Sequence, residues 1–171
     1  MKIVTIVIST ALLSGLPAAM AAVTDQSTHD QAFVDEAASG GKMEVELGRL
    51  AEQNASNPKV KEFGARMVED HTRLNAELGS VAKSIGLTFP TKLSAEQQTT
   101  YANLSKLSGT KFDKAYIDLM VKDHTDDLAA FQKEEAATQN QKLKRAVAKA
   151  IPIIHEHLNM AKSDSTKLAA R

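Results

Sequence analysis

The chain has no cysteine among its 171 residues. Disulfides and anchoring through a lipidated cysteine are therefore excluded, although an exported protein meets an oxidising compartment in which disulfides form. Aromatic residues make up 4% of the chain, too few for the stacking platforms that single-stranded nucleic acids use. Lys and Arg number 21, as do Asp and Glu, for a formal net charge of zero. No net field draws in nucleic acid or an anionic membrane surface, so nucleic acid is excluded as a partner class. Beyond the N-terminal segment no run is apolar enough to span a bilayer, and no strand-like alternation competes with the helical pattern. Also missing are a nucleophile–base pair, a phosphate-binding loop and an aromatic pocket.

What is present begins with "MKIVTIVISTALLSGLPAAMAAVTD". Lys2 supplies a minimal positive region and Ile3 to Leu16 an apolar one. Pro17 then precedes Ala19-Met20-Ala21. This is the layout of a secretory leader, residues 1–21, with cleavage expected after Ala21. The apolar stretch is about 14 residues, short of the roughly 20 needed for a membrane span. The expectation is a periplasmic or secreted mature chain with no transmembrane segment, open to peripheral association with the envelope. Its N-terminus, residues 22–30, reads as polar and frayed.

A single domain over residues 31–168 follows. The first long helix is expected over Gln31–Asn54, closed by "NASNP". Asn57 and Pro58 form the N-cap and first turn of the second, expected over Pro58–Ile85. There Val60, Phe63, Met67, His71, Leu74, Leu78, Val81 and Ile85 recur at spacings of three and four, the mark of a core-facing seam. Gly86 and Pro90 stop it. A crossover holds a short helix, about Ser94–Leu107, with Ser94 and Gln97 spaced as a capping box. The third long helix is expected over Thr110–Ala137. The fourth, Asn140–Leu168, carries an internal Pro152 expected to kink it just before His157. Two antiparallel hairpins joined by a crossover give an all-α, ferritin-like four-helix bundle.

The strings "MVEDHT" and "MVKDHT" place His71 and His124 within helical seams. At 100° per residue, His71, His124 and His157 each lie within about 50° of their seam centre, whereas His155 lies roughly 110° away. His29 falls in the N-terminal tail, where exposure is the default. On the first helix Phe33, Ala37, Leu47 and Ala51 set the buried direction, and Glu44 falls among them while Glu46 faces the other way. Glu44, His71, His124 and His157 fall near the middle of their helices, so they are expected to meet at one level. Asp70, Asp123 and Glu156 each precede one of the histidines. An acid cannot reach its own neighbour's ring, but it can reach one on the next helix. With Asp127, these acids are candidate partners for fixing imidazole tautomers.

Four such groups suit iron, zinc, copper, nickel or manganese, with the cation offsetting the burial of Glu44. The alternative is a metal-free hydrogen-bond network that fixes helix register. Met43, Met67, Met120 and Met160 lie near the same zone. They read as core filling, although a thioether can bind Cu(I).

The stretches "AFVDEAASGGKMEVELGRLA", "NPKVKEFGARMVEDH", "LSGTKFDKAYIDLMVKDH" and "IPIIHEHLNMAK" resemble a bacterial exported family catalogued as a domain of unknown function. Its members are often labelled "predicted outer membrane protein". The resemblance implies export and a ferritin-like fold and supplies no activity. The chain lacks the alternating strands of a barrel. It also departs from di-iron members of the wider fold, which use Glu-x-x-His: three residues before His71, His124 and His157 stand Val68, Val121 and Ile154. Carboxylate-bridged di-iron chemistry and mineral storage are therefore not expected.

Three functions remain. One is an exported metal-binding bundle with Glu44, His71, His124 and His157 as ligands, for buffering, sensing or stress protection. The second is a non-catalytic envelope stress or interaction protein whose partner is a second copy or another envelope protein. The third is a mononuclear redox enzyme at the same four residues, which requires an open coordination position.

Overall fold

The computed structural model describes residues 16–170, with side chains described from Asp25 onward. The chain forms α1 (Leu16–Asn54), α2 (Pro58–Ser84), α3 (Ala95–Leu104), α4 (Gly109–Ala137) and α5 (Gln141–Ala169), with no strand among the described residues. The all-helical class follows from the three-and-four spacing of the seams.

The crossover helix ends at Leu104, short of the expected Leu107, and the largest departure from the expected boundaries lies at the N-terminus. Residues 22–30 are not frayed but belong to α1, which begins at Leu16 instead of Gln31. The helix opens in the alanine-rich stretch of residues 18–22, whose residues favour helix. The side-chain bonds Gln26–Asp30 and Gln31–Asp35, each 2.7 Å and one turn apart, continue it. His29 is accordingly not a free tail residue, since its Nε2 lies 2.9 Å from Glu134 on α4. Of the expected leader, residues 1–15 lie outside the described residues, and Leu16–Ala21 open α1.

The helix ends follow local chemistry. Asn57 caps α2 by accepting from the Lys59 N–H, with Pro58 in the first turn. Gly86, at φ 80°, takes the left-handed conformation that ends it. Ser94 and Gln97 form a complete capping box on α3, and Asn140 caps α5. Helix α5 runs through Pro152 without a break. The fully buried Asp113 of α4 ties the α1–α2 turn, accepting from Ser56 N–H and Asn57 N–H at 3.0 Å and from Ser56 Oγ at 2.6 Å.

Helix α1 packs along α2 and α4 along α5, while α2 meets α5 and α1 meets α4. The apolar interior falls into two clusters. Along α1, Phe33 and Val34 of one cluster precede Glu44, and Leu47 and Leu50 of the other follow it. Along α2 the order is reversed, with Phe63 and Met67 before His71 and Leu78 and Ala82 after it. Along α4, Phe112, Tyr116 and Met120 come before His124 and Phe131 after; along α5, Leu143 and Val147 precede His157 and Ala161 follows. Neighbouring long helices therefore run antiparallel, and the polar residues lie between the two clusters.

Helices α1 and α2 approach closely just beside this level. A Cβ built on Gly64 would lie 2.7 Å from Ala51 Cβ and 2.8 Å from Gly48 O, and one on Gly48 would lie 2.6 Å from Gly64 O. Backbone opposes backbone here, so neither side can yield by turning a side chain. Gly64→Ala is expected to destabilise the fold by about 1–3 kcal/mol through overpacking. At Gly40, where a Cβ meets nothing within 4 Å, alanine is expected to add roughly 0.5–1 kcal/mol from helix propensity. Urea unfolding of the two variants reads both signs, and a neutral Gly64→Ala would contradict the close approach.

Candidate functional site

Glu44, His71, His124 and His157 meet at the level between the two apolar clusters, contributed by α1, α2, α4 and α5. All four are buried. The imidazole centroids are 5.6 Å (His71–His124), 5.2 Å (His71–His157) and 5.4 Å (His124–His157) apart, a nearly equilateral triangle. One ring nitrogen from each lies within 4.8 Å of those of the other two.

Each ring is anchored through one nitrogen. His71 Nδ1 lies 2.7 Å from Glu44 Oε2. His124 Nδ1 is 3.0 Å from the Met120 carbonyl; a carbonyl only accepts, so this nitrogen carries the proton. His157 Nε2 donates to Asp70 Oδ2 at 3.1 Å. The opposite nitrogens, His71 Nε2, His124 Nε2 and His157 Nδ1, are buried and have no hydrogen-bond partner in the protein. Glu44 Oε1 has none either and lies 3.4 Å from His124 Nε2. With the anchored nitrogens protonated, the three rings turn lone pairs toward one another. Such a set calls for a cation, a proton or a donating water.

Electrostatics favour that protonation pattern. Burial holds the His124 imidazolium down. Burial, with His71 next in weight, lowers His157 to about 4. Burial alone would push Glu44 up, but the imidazoles, His71 foremost, more than offset it and bring its carboxyl to about 2. Asp70 is held well below the usual carboxylate range: burial opposes ionisation, and the guanidinium groups of Arg66 and Arg73 and the ring of His157 outweigh it.

The other acids divide by position. Asp127 is raised well above its ordinary value by burial and by the negative charge of nearby Glu44. Asp123 is pushed up to about 6 by burial and then by Glu44. Glu156 is exposed and meets Arg66 at 3.4 Å, so it touches the site only through the Arg66–Asp70–His157 chain. Met43, Met67 and Met120 are buried in the apolar cluster, with Met160 packed against it. His155 is exposed, as its helical angle predicts, and meets Asn159. The clamp of Arg66 and Arg73 on Asp70 has no counterpart in the sequence reading. Its signal was present: Arg66 and Arg73 stand four before and three after Asp70, both within helical reach.

A cavity of about 30 Å³ adjoins His71, Glu44 and Asp127, walled by Leu78, Phe131 and Ile154 among others. A water centre needs about 10–15 Å³, so one or two waters, or a ligand of that size, fit beside the histidines.

A family described as "Domain of unknown function (DUF4142)" matches residues 15–163 of this chain. No curated protein and no solved structure matches it.

The His157 shift has a consequence for the metal-free protein. Unfolded, this ring titrates at its ordinary 6.5; folded, at about 4. Between those values the unfolded chain binds more protons, so the contribution of His157 is complete above pH 6.5 and falls as pH drops to 4. The raised Asp123 and Asp127 carboxyls act with the opposite sign and flatten the overall curve. The comparison with His157→Gln isolates the effect. In urea unfolding followed by circular dichroism, the stability difference between wild type and His157→Gln should shrink by on the order of 3 kcal/mol between pH 6.5 and 4. A difference independent of pH would show that the buried ring titrates normally.

Proposed function

The chain belongs to the DUF4142 family, and we propose that it is an exported, ferritin-like four-helix bundle that binds one transition-metal ion through His71 Nε2, His124 Nε2 and His157 Nδ1. Glu44 stands beside the three nitrogens as the neighbouring carboxylate. The observation that carries this reading is the convergence of three buried imidazole nitrogens, each without a protein partner while the other nitrogen of its ring is anchored. Metal-binding histidines typically show this division, with the far N–H given to a carboxylate or carbonyl that fixes the tautomer. Three imidazoles with a carboxylate nearby suit zinc, iron, copper, nickel or manganese. The role proposed is metal buffering or protection against metal stress in the periplasm. The enzymatic variant is a mononuclear redox centre, for which the cavity beside His71 would supply a small-molecule position.

Elemental analysis of untagged protein from the native periplasm, beside a His71→Ala/His124→Ala double variant, tests the proposal. About one metal ion per chain in the wild type, lost in the variant, is expected for a single closed site. Metal absent from both, or retained by the variant, would sink it. A second reading would then take its place, favoured by the 2.7 Å Glu44–His71 contact: the layer is a hydrogen-bonded clasp that sets helix register.

Export rests on Lys2, the apolar run from Ile3 to Leu16 and Ala19-Met20-Ala21. Among the described residues no helix is long and apolar enough to cross a membrane. Intact mass of the periplasmic protein should place the mature N-terminus at Ala22; an uncleaved chain in the membrane fraction would refute the leader.

A further inference from the structure

A groove of about 400 Å³ opens between α1, α3 and α4 and has Glu44 among its lining residues. Its other acidic side chains are Glu36, Glu96, Asp123, Asp126 and Asp127. Lys122 is the one basic side chain lining it, and Asp126 already holds that ammonium at 2.8 Å. Helix α3 forms one wall, pinned to α1 by a hydrogen bond from Ser39 to Gln97. Gly40, also on the lining, leaves that stretch of α1 without a side chain.

Acidic side chains alone would make an ordinary solvated surface. This groove differs in its inner end. Glu44 is 3% exposed, and its Oε1 has no hydrogen-bond partner in the protein. The same carboxylate contacts His71 through its other oxygen. Glu44 and Asp127 line both this groove and the small cavity beside His71, so the two spaces meet at that pair.

We propose that the acidic groove is the entry route by which a divalent metal cation reaches the three histidines, with Asp123 and Asp126 attracting it and Asp127 and Glu44 passing it inward. The inference rests on the metal-binding reading of the histidine layer and adds the path. A cleft lined by one sign of charge concentrates counter-ions and raises their on-rates by roughly 10–10³-fold, an effect that weakens with salt. Oxygen donors hold a divalent ion loosely enough to release it to imidazoles.

The test is stopped-flow loading of metal-free, full-length mature protein with Co²⁺, read by its visible absorption, at low and high salt. The variants are Asp123→Asn/Asp126→Asn in the groove and Glu62→Gln/Asp118→Asn on exposed surface outside it, matched in net charge. The groove variant is expected to load at least tenfold more slowly at low salt, to lose most of its salt dependence and to reach the wild-type stoichiometry; the control should load like wild type. Equal rates in all three, with full loading, would overturn the route and leave the histidine site standing. A groove variant with lowered stoichiometry would overturn it too, by making these acids ligands. A wild type that takes up no cobalt would remove the site and the route together.

Discussion

An ionised carboxylate inside a helical core costs several kcal/mol unless charge or hydrogen bonds meet it, and Glu44 is such a group, at 3% exposure. The rest of the layer is arranged around that cost. His71 meets one oxygen at 2.7 Å and His124 stands 3.4 Å from the other. The geometry needs α1 and α2 close together, and Gly48 and Gly64, each one turn or two from the pair, permit it. Fold and site are therefore linked: the same missing Cβ atoms that let the backbones touch bring the carboxylate to the ring.

The second ion in the layer is handled differently. Asp70 is saturated by Arg66, by Arg73 at 2.9 Å and by the His157 ring at 3.1 Å. It is a fixed charge already neutralised from the solvent side, and its effect is to orient His157. The Met120 carbonyl does the same for His124 without any charge. Three different acceptors thus produce one outcome, an imidazole with its lone pair turned inward. A network serving only to satisfy its own members would be expected to pair those lone pairs with donors.

Much of this was legible in the sequence. Helical periodicity placed the four long elements to within a residue or two at most ends, because the seams are amphipathic and Asn57 and Asn140 cap α2 and α5. The angular argument separated His155 from His157 and Glu46 from Glu44. The N-terminal extension of α1 was missed because residues 22–30 look polar; their helix is held by one-turn side-chain bonds and by the His29–Glu134 contact, which no local pattern shows. The anchoring of each ring was not legible either. Acids beside histidines were visible, but which of them crosses to a ring depends on the rotation of neighbouring helices: Asp70 does, and Glu156 faces Arg66 instead.

Charge accounting gives the layer its direction. Asp70 is matched by two guanidinium groups, and burial keeps His124 and His157 from supplying positive charge at neutral pH. No Lys or Arg pairs with Glu44 among the described residues. In this layer the compensation of Glu44 must therefore come from imidazole N–H groups and from whatever occupies the space among the lone pairs. Asp123 and Asp127 make the need greater, since the negative charge of Glu44 is among the causes raising both. A cation placed among the three nitrogens would relieve all three carboxyl groups at once. The charge balance of the layer is thus set jointly by Glu44, the two acids beside it and the three rings.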